Sequence, residues 1–76
     1  MANLKDIKLL QKIALILKEL REEKNLSQEE VYNDTNIHIG RIETGKGNIN
    51  VSTLAELCKY YEIKLSDFHK MVEKIE

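Results

Sequence analysis

Groups able to do covalent or metal chemistry are sparse in this 76-residue chain, and none are grouped for it. The two histidines, His38 and His69, fall on separate predicted helices, and Cys58 is the only thiol. There is no His-x-x-x-His pair and no Cys–His grouping to hold zinc or activate a nucleophile. Carboxylates are plentiful, but runs such as Glu19-Glu22-Glu23 read as a solvated helix face rather than paired acid–base groups. The loop Gly45-Lys46-Gly47-Asn48-Ile49-Asn50 lacks the spacing of a nucleotide phosphate loop. Catalysis and a bound cofactor are therefore not expected. The chemistry left is recognition. Asn36 and Arg41 carry a planar amide and a guanidinium, groups able to make paired hydrogen bonds to a flat polar partner. Read alone, they describe a solvated helix face.

The elements that must position these groups are helices. No proline interrupts the chain, and apolar residues recur at helical spacing throughout. Asn3 to Lys24 reads as one helix on Leu4, Ile7, Leu10, Ile13, Ala14, Leu17 and Leu20, with Leu9, Leu15 and Ile16 widening the apolar surface. Ser27 and Glu30 form a capping box, with Leu26 and Val31 as its staple, and open a short second helix over Gln28 to Asn33. Asp34 or Thr35 caps a third helix, Thr35 to Glu43, which turns Ile39 and Ile42 inward and stops at Gly45. Asn50 or Ser52 caps a fourth helix with Val51, Leu54, Leu57, Cys58 and Tyr61 on its apolar face. Ser66 caps a last one carrying Phe68, Met71, Val72 and Ile75. Cys58 reads as core. Gly40, inside the third helix, permits close approach of a partner molecule or another helix, or is incidental.

Two short helices joined by a tight turn resemble the helix-turn-helix of the phage repressor/Cro-like DNA-binding family, the xenobiotic-response-element type of transcriptional regulator. Leu26-Ser27-Gln28-Glu29-Glu30-Val31 and Ile39-Gly40-Arg41-Ile42-Glu43-Thr44-Gly45-Lys46 carry the likeness. Val51-Ser52-Thr53-Leu54 and Tyr61-Glu62-Ile63-Lys64-Leu65-Ser66-Asp67-Phe68 extend it. The resemblance implies an all-α, compact bundle of about five helices, a lambda-repressor-like domain with an extended first helix. It makes residues 1–76 a single domain with a family-like core over about 17–70 and a helical extension over 1–16. One departure stands out. About three residues, including the usual turn glycine, are missing before Thr35, which is read here as a shortened second helix.

The resemblance also implies roles. The third helix enters the major groove and the second crosses the backbone. Asn36, Ile37 and Arg41 are the expected base readers, matched to an adenine edge, a thymine methyl and a guanine edge respectively. Gln28, Thr35, His38, Lys46 and Asn48 are the expected contacts to the DNA backbone. Glu43 is expected to be structural, taking a local hydrogen bond or pairing near Arg21 on the exposed side of the first helix.

Charge gives these roles little help. The formal net charge is -1, and residues 27–50 carry two basic groups against four acidic ones, so binding is expected to be weak or salt-sensitive for a monomer. A small core and surplus apolar surface make a homodimer the expected state, with Leu9, Ile16, Met71 and Ile75 as candidate contacts; plain intramolecular packing is the alternative for each. The function expected is a sequence-specific regulator of double-stranded DNA, repressing from a palindromic operator. The alternatives are a protein-interaction module with weak DNA binding, or the antitoxin of a toxin–antitoxin pair; controllers of restriction–modification genes are a further related class. No apolar segment is long enough to span a membrane, and the cytoplasm is the expected compartment.

Overall fold

A computed structural model describes residues 6–75. Five helices follow one another: α1 (Ile7–Glu23), α2 (Gln28–Thr35), α3 (Ile39–Ile42), α4 (Val51–Tyr60) and α5 (Leu65–Glu73). Among the described residues there is no strand. Asp6 caps α1 by accepting from the Leu9 N–H at 3.0 Å; the expected start at Asn3 and Leu4 lies outside the described residues.

The apolar periodicity becomes one core. Leu17, Val31, Ile39, Leu57, Cys58 and Phe68 are almost fully buried, drawn from all five helices. Helix α5 packs against both α1 and α4, and α2 packs against α3. Leu26, Ile37, Ile42, Ile49 and Ile63 close its edges. Two expectations about this core change. Val51 is 73% exposed, because it opens α4 one turn before Leu54, the first residue of that stripe to reach the core. Ile16, a candidate dimer contact, is only 4% exposed and belongs to the core, so its side chain is already spent on folding.

The helix ends explain the turns. Residues Asn25, Asn36 and Glu62 all take the left-handed conformation with φ of 57°, 64° and 61°. Asn25 and Glu62 do so just past α1 and α4, where Leu26 N–H and Ile63 N–H reach back to Arg21 and Cys58 carbonyls, satisfying otherwise orphaned acceptors. Glu62 pairs with Lys24 at 2.8 Å, which ties the two helix ends together. Gly45 ends the α3 turn at φ +71°, and a Cβ there would sit 3.2 Å from the Gln11 Cα. Glycine is thus needed twice over, for conformation and for the approach to α1. The expected Ser66 cap is not formed: α5 begins at Leu65, placing Ser66 inside its first turn, and Lys64 occupies the cap position without a side-chain bond.

Candidate nucleic-acid interface

The second helix begins as its sequence dictates. The Glu30 N–H donates to Ser27 Oγ at 3.0 Å and the Ser27 N–H donates to Glu30 Oε1 at 2.9 Å. The helix does not stop at Asn33. It runs to Thr35 and is closed by Asn36, whose N–H donates to the Tyr32 carbonyl at 2.7 Å. Thr35 then holds the turn: its hydroxyl donates to the Val31 carbonyl at 2.7 Å and accepts from the Ile37 N–H at 3.1 Å.

The residues missing from the sequence are therefore taken out of the third helix, not the second. Helix α3 is a single turn, Ile39–Ile42, instead of the expected Thr35 to Glu43. Asp34 and Thr35 lie within α2 and cap nothing, while His38 stands at the cap of α3 without using its side chain to cap it. At about 1.5 Å per residue, α3 is roughly 6 Å long, close to two base-pair steps along B-DNA.

Three contacts set the register between α2 and α3, all from one stripe of α2. Gln28 lies over Gly40, where a Cβ would come 3.1 Å from its Oε1. Tyr32 stacks on His38, ring centroids 4.6 Å apart and planes inclined by 30°. Thr35 receives the Ile37 N–H. Gly40 thus allows close approach of a neighbouring helix's side chain. Tyr60 braces the far side, its hydroxyl donating to Asp34 Oδ2 at 2.6 Å. That bond to a carboxylate pushes the Tyr60 phenol up to about 12.

Behind this pair sits a polar clamp. Arg21 Nε donates to Glu43 Oε2 at 2.7 Å and Arg21 Nη2 to Glu43 Oε1 at 3.0 Å, while Nη1 donates to the Leu26 carbonyl at 2.7 Å. Gln28 Nε2 adds a fourth bond, to Glu43 Oε1 at 2.9 Å. The Glu43 side chain is 4% exposed and that of Arg21 11%, so Arg21 is not the exposed residue anticipated. The structural part expected of Glu43, paired near Arg21, is what the molecule has. The hydrogen bond to Glu43 holds the Arg21 guanidinium above its ordinary range.

The remaining candidates fall into two groups. Asn36, His38 and Arg41 are exposed within the stretch 36–41, and Lys46 and Asn48 are exposed on the following loop. That loop is ordered by Thr44, whose hydroxyl donates to the Arg41 carbonyl at 2.6 Å and accepts from the Lys46 N–H at 3.3 Å. Others are committed elsewhere. Ile37 is half-buried against the core, the Thr35 hydroxyl is used by the turn, and the Gln28 amide is held by Glu43. Asn36 and Ile37 precede α3 and do not form its front. Tyr32 was not singled out from the sequence, although its i+4 spacing from Gln28 places both on one face of α2.

A short helix clamped across α1 and followed by a turn and a second short helix defines the helix-turn-helix class. The helix-turn-helix family model matches residues 17–68, most of the chain, and the protein belongs to the Cro/C1-type helix-turn-helix family. No curated protein and no solved structure matches the chain. Membership makes it a DNA-binding transcriptional regulator in general terms, of a family that is not enzymatic. No described helix is long and apolar enough to cross a membrane.

Proposed function

We propose that the protein binds a palindromic operator as a homodimer and represses transcription there, with the segment Asn36–Arg41 as its reading element. The observation that carries this is the clamp. Arg21, Glu43 and Gln28 fix α1, α2 and the end of α3 together, and leave Asn36, His38 and Arg41 exposed beside one another in sequence. A rigid frame with polar groups at its outer edge is what sequence reading requires, since misplaced donors lose discrimination. Arg41 is suited to a guanine edge and Asn36 to an adenine edge. Lys46 and Asn48 supply the phosphate contacts, and Gln28 adds one through the second N–H of its amide while the first stays on Glu43; the Thr35 hydroxyl stays in the turn. Ile37 adds apolar contact with a thymine methyl through its exposed part.

Dimer contact is assigned to the extension, where Leu9 is 43% exposed, with Met71 and Ile75, partly buried against the core, as further candidates. A second reading has its own support. A groove of about 440 Å3 runs between α1 and the end of α5, lined by Lys8, Gln11, Lys12, Leu15 and Ile75. Together with a one-turn α3, it suits a protein-interaction module or an antitoxin that holds a partner there.

The deciding experiment selects from random duplex DNA with wild-type and Arg41→Ala protein, across a salt series. A recovered two-fold-symmetric sequence, lost with Arg41→Ala, supports the operator reading. Weak binding without sequence preference, falling steeply with salt, reduces it to phosphate attraction. A monomer by light scattering at high concentration counts against the dimer.

A further inference from the structure

In helix-turn-helix proteins, the residues at the N-terminal end of the reading helix meet the base edges. Here that end is not Thr35 but His38, because the first turn of the helix is absent. The His38 side chain does not cap α3, and among the described residues its ring nitrogens take part in no hydrogen bond. Its ring face is occupied instead by Tyr32, stacked at 4.6 Å. His38 is exposed, and an imidazole stacked through its face can still donate from one ring N–H in its own plane.

The geometry points to His38 as a base-reading residue that donates to a purine N7 in the major groove, and to Tyr32 as the residue that positions it. This rests on the DNA-binding reading above and moves His38 from backbone contact to sequence readout. The device takes the place of a helical turn. A helix would fix the side chain at its head through the backbone; here the backbone at His38 is non-helical, with φ −77° and ψ 74°, and the ring stack does the fixing. The α2 backbone that carries Tyr32 is anchored by its capping box at one end and by the Thr35 bonds at the other. Adenine and guanine both offer N7, so this contact selects purine over pyrimidine at its base pair without choosing between the two purines.

The test uses the sequence selected by the wild-type full chain, with Tyr32→Phe, Tyr32→Leu, His38→Leu and the Leu/Leu double variant, each checked for its thermal midpoint. Affinities are read against the selected duplex, a scrambled duplex, and duplexes carrying 7-deazapurine at one position at a time. Tyr32→Phe is expected to stay within about twofold of wild type, because it retains the stacking ring. Tyr32→Leu and His38→Leu should each reduce the selected-to-scrambled ratio by about tenfold, and the double variant should be no worse than either. One 7-deazapurine position should weaken wild type by a similar factor and leave His38→Leu unchanged. The upfield ring-current shift of the His38 protons should persist in Tyr32→Phe and vanish in Tyr32→Leu. Additive losses, an unchanged ratio in Tyr32→Leu, or indifference to every 7-deazapurine overturn the inference while leaving DNA reading intact. Failure of the wild type to select any sequence overturns the DNA reading itself, and this inference with it.

Discussion

Glu43 receives three hydrogen bonds from two helices, and its carboxylate has almost no access to water. Removing one partner of such a pair strands the other charge, which costs far more than the pair's net contribution. Glu43→Ala is expected to lower stability by about 3–5 kcal/mol, visible as a large drop in the thermal midpoint. Replacing both partners, as in Arg21→Met with Glu43→Leu, should recover much of that loss, because no buried charge remains. Tyr61 makes the opposite case. Its hydroxyl is buried with no hydrogen-bond partner among the described residues, and burial pushes its phenol up to about 12. Tyr61→Phe should therefore hold or raise the thermal midpoint. The pH dependence follows from the same raised values. Tyr60 and Tyr61 have folded values near 12 against an unfolded value of 10, so folding favours their neutral forms. Their contribution is fully present below pH 10 and is lost as pH rises from 10 towards 12. Alkaline melts should show that loss in wild type, and less of it in the Tyr60→Phe, Tyr61→Phe double variant.

At the scale of elements, the caps at Ser27 and Asn50 and the stop at Gly45 were legible, while the caps expected at Ser66 and at Asp34 or Thr35 and the placement of a deletion were not. Ser27 with Glu30, Asn50 with Thr53 and the left-handed Gly45 are local devices, fixed by side chains within three residues of the backbone they serve. Ser27→Ala should cost about 1 kcal/mol. Gly45→Ala should cost about 1–3 kcal/mol, since it forces a side chain into the left-handed region and against the Gln11 backbone. The missing residues before Thr35 were equally visible, but which helix would yield them depended on nonlocal terms. Helix α2 extends through Asp34 and Thr35 because Tyr60 binds Asp34 and because the Thr35 hydroxyl closes the turn. Helix α3 keeps only the turn that buries Ile39. A tyrosine twenty-six positions away and a ring stack across a turn leave no mark in periodicity. Ile16 is apolar on a helix with apolar residues on several faces, so its inward orientation leaves no mark in the sequence either.

For the whole molecule, the binding energy must come from few charges. The formal net charge is -1, Arg21 is consumed by Glu43, and Lys24 is paired with Glu62. On the proposed operator reading, Lys46 is the basic phosphate contact of each reading surface, with neutral donors around it and Arg41 given to a base. Counterion release scales with the number of phosphates neutralised, at about −0.9 in log–log slope for each. A dimer meeting two to four phosphates with cations should therefore show a slope of roughly −2 to −4, shallower than that of strongly basic repressors. Affinity would then depend on the base contacts and on having two half-sites about 34 Å apart on one face of the duplex. Titrations at several salt concentrations check this directly, on intact and half-site duplexes. The expected result is a shallow slope on both and a large loss of affinity for the half-site, because the second copy doubles the base contacts without adding much charge. A steep slope with similar affinity for both duplexes would mean that the lysines of the extension, Lys8 and Lys12, bind phosphate as well, and that α1 rather than α3 dominates the encounter with DNA.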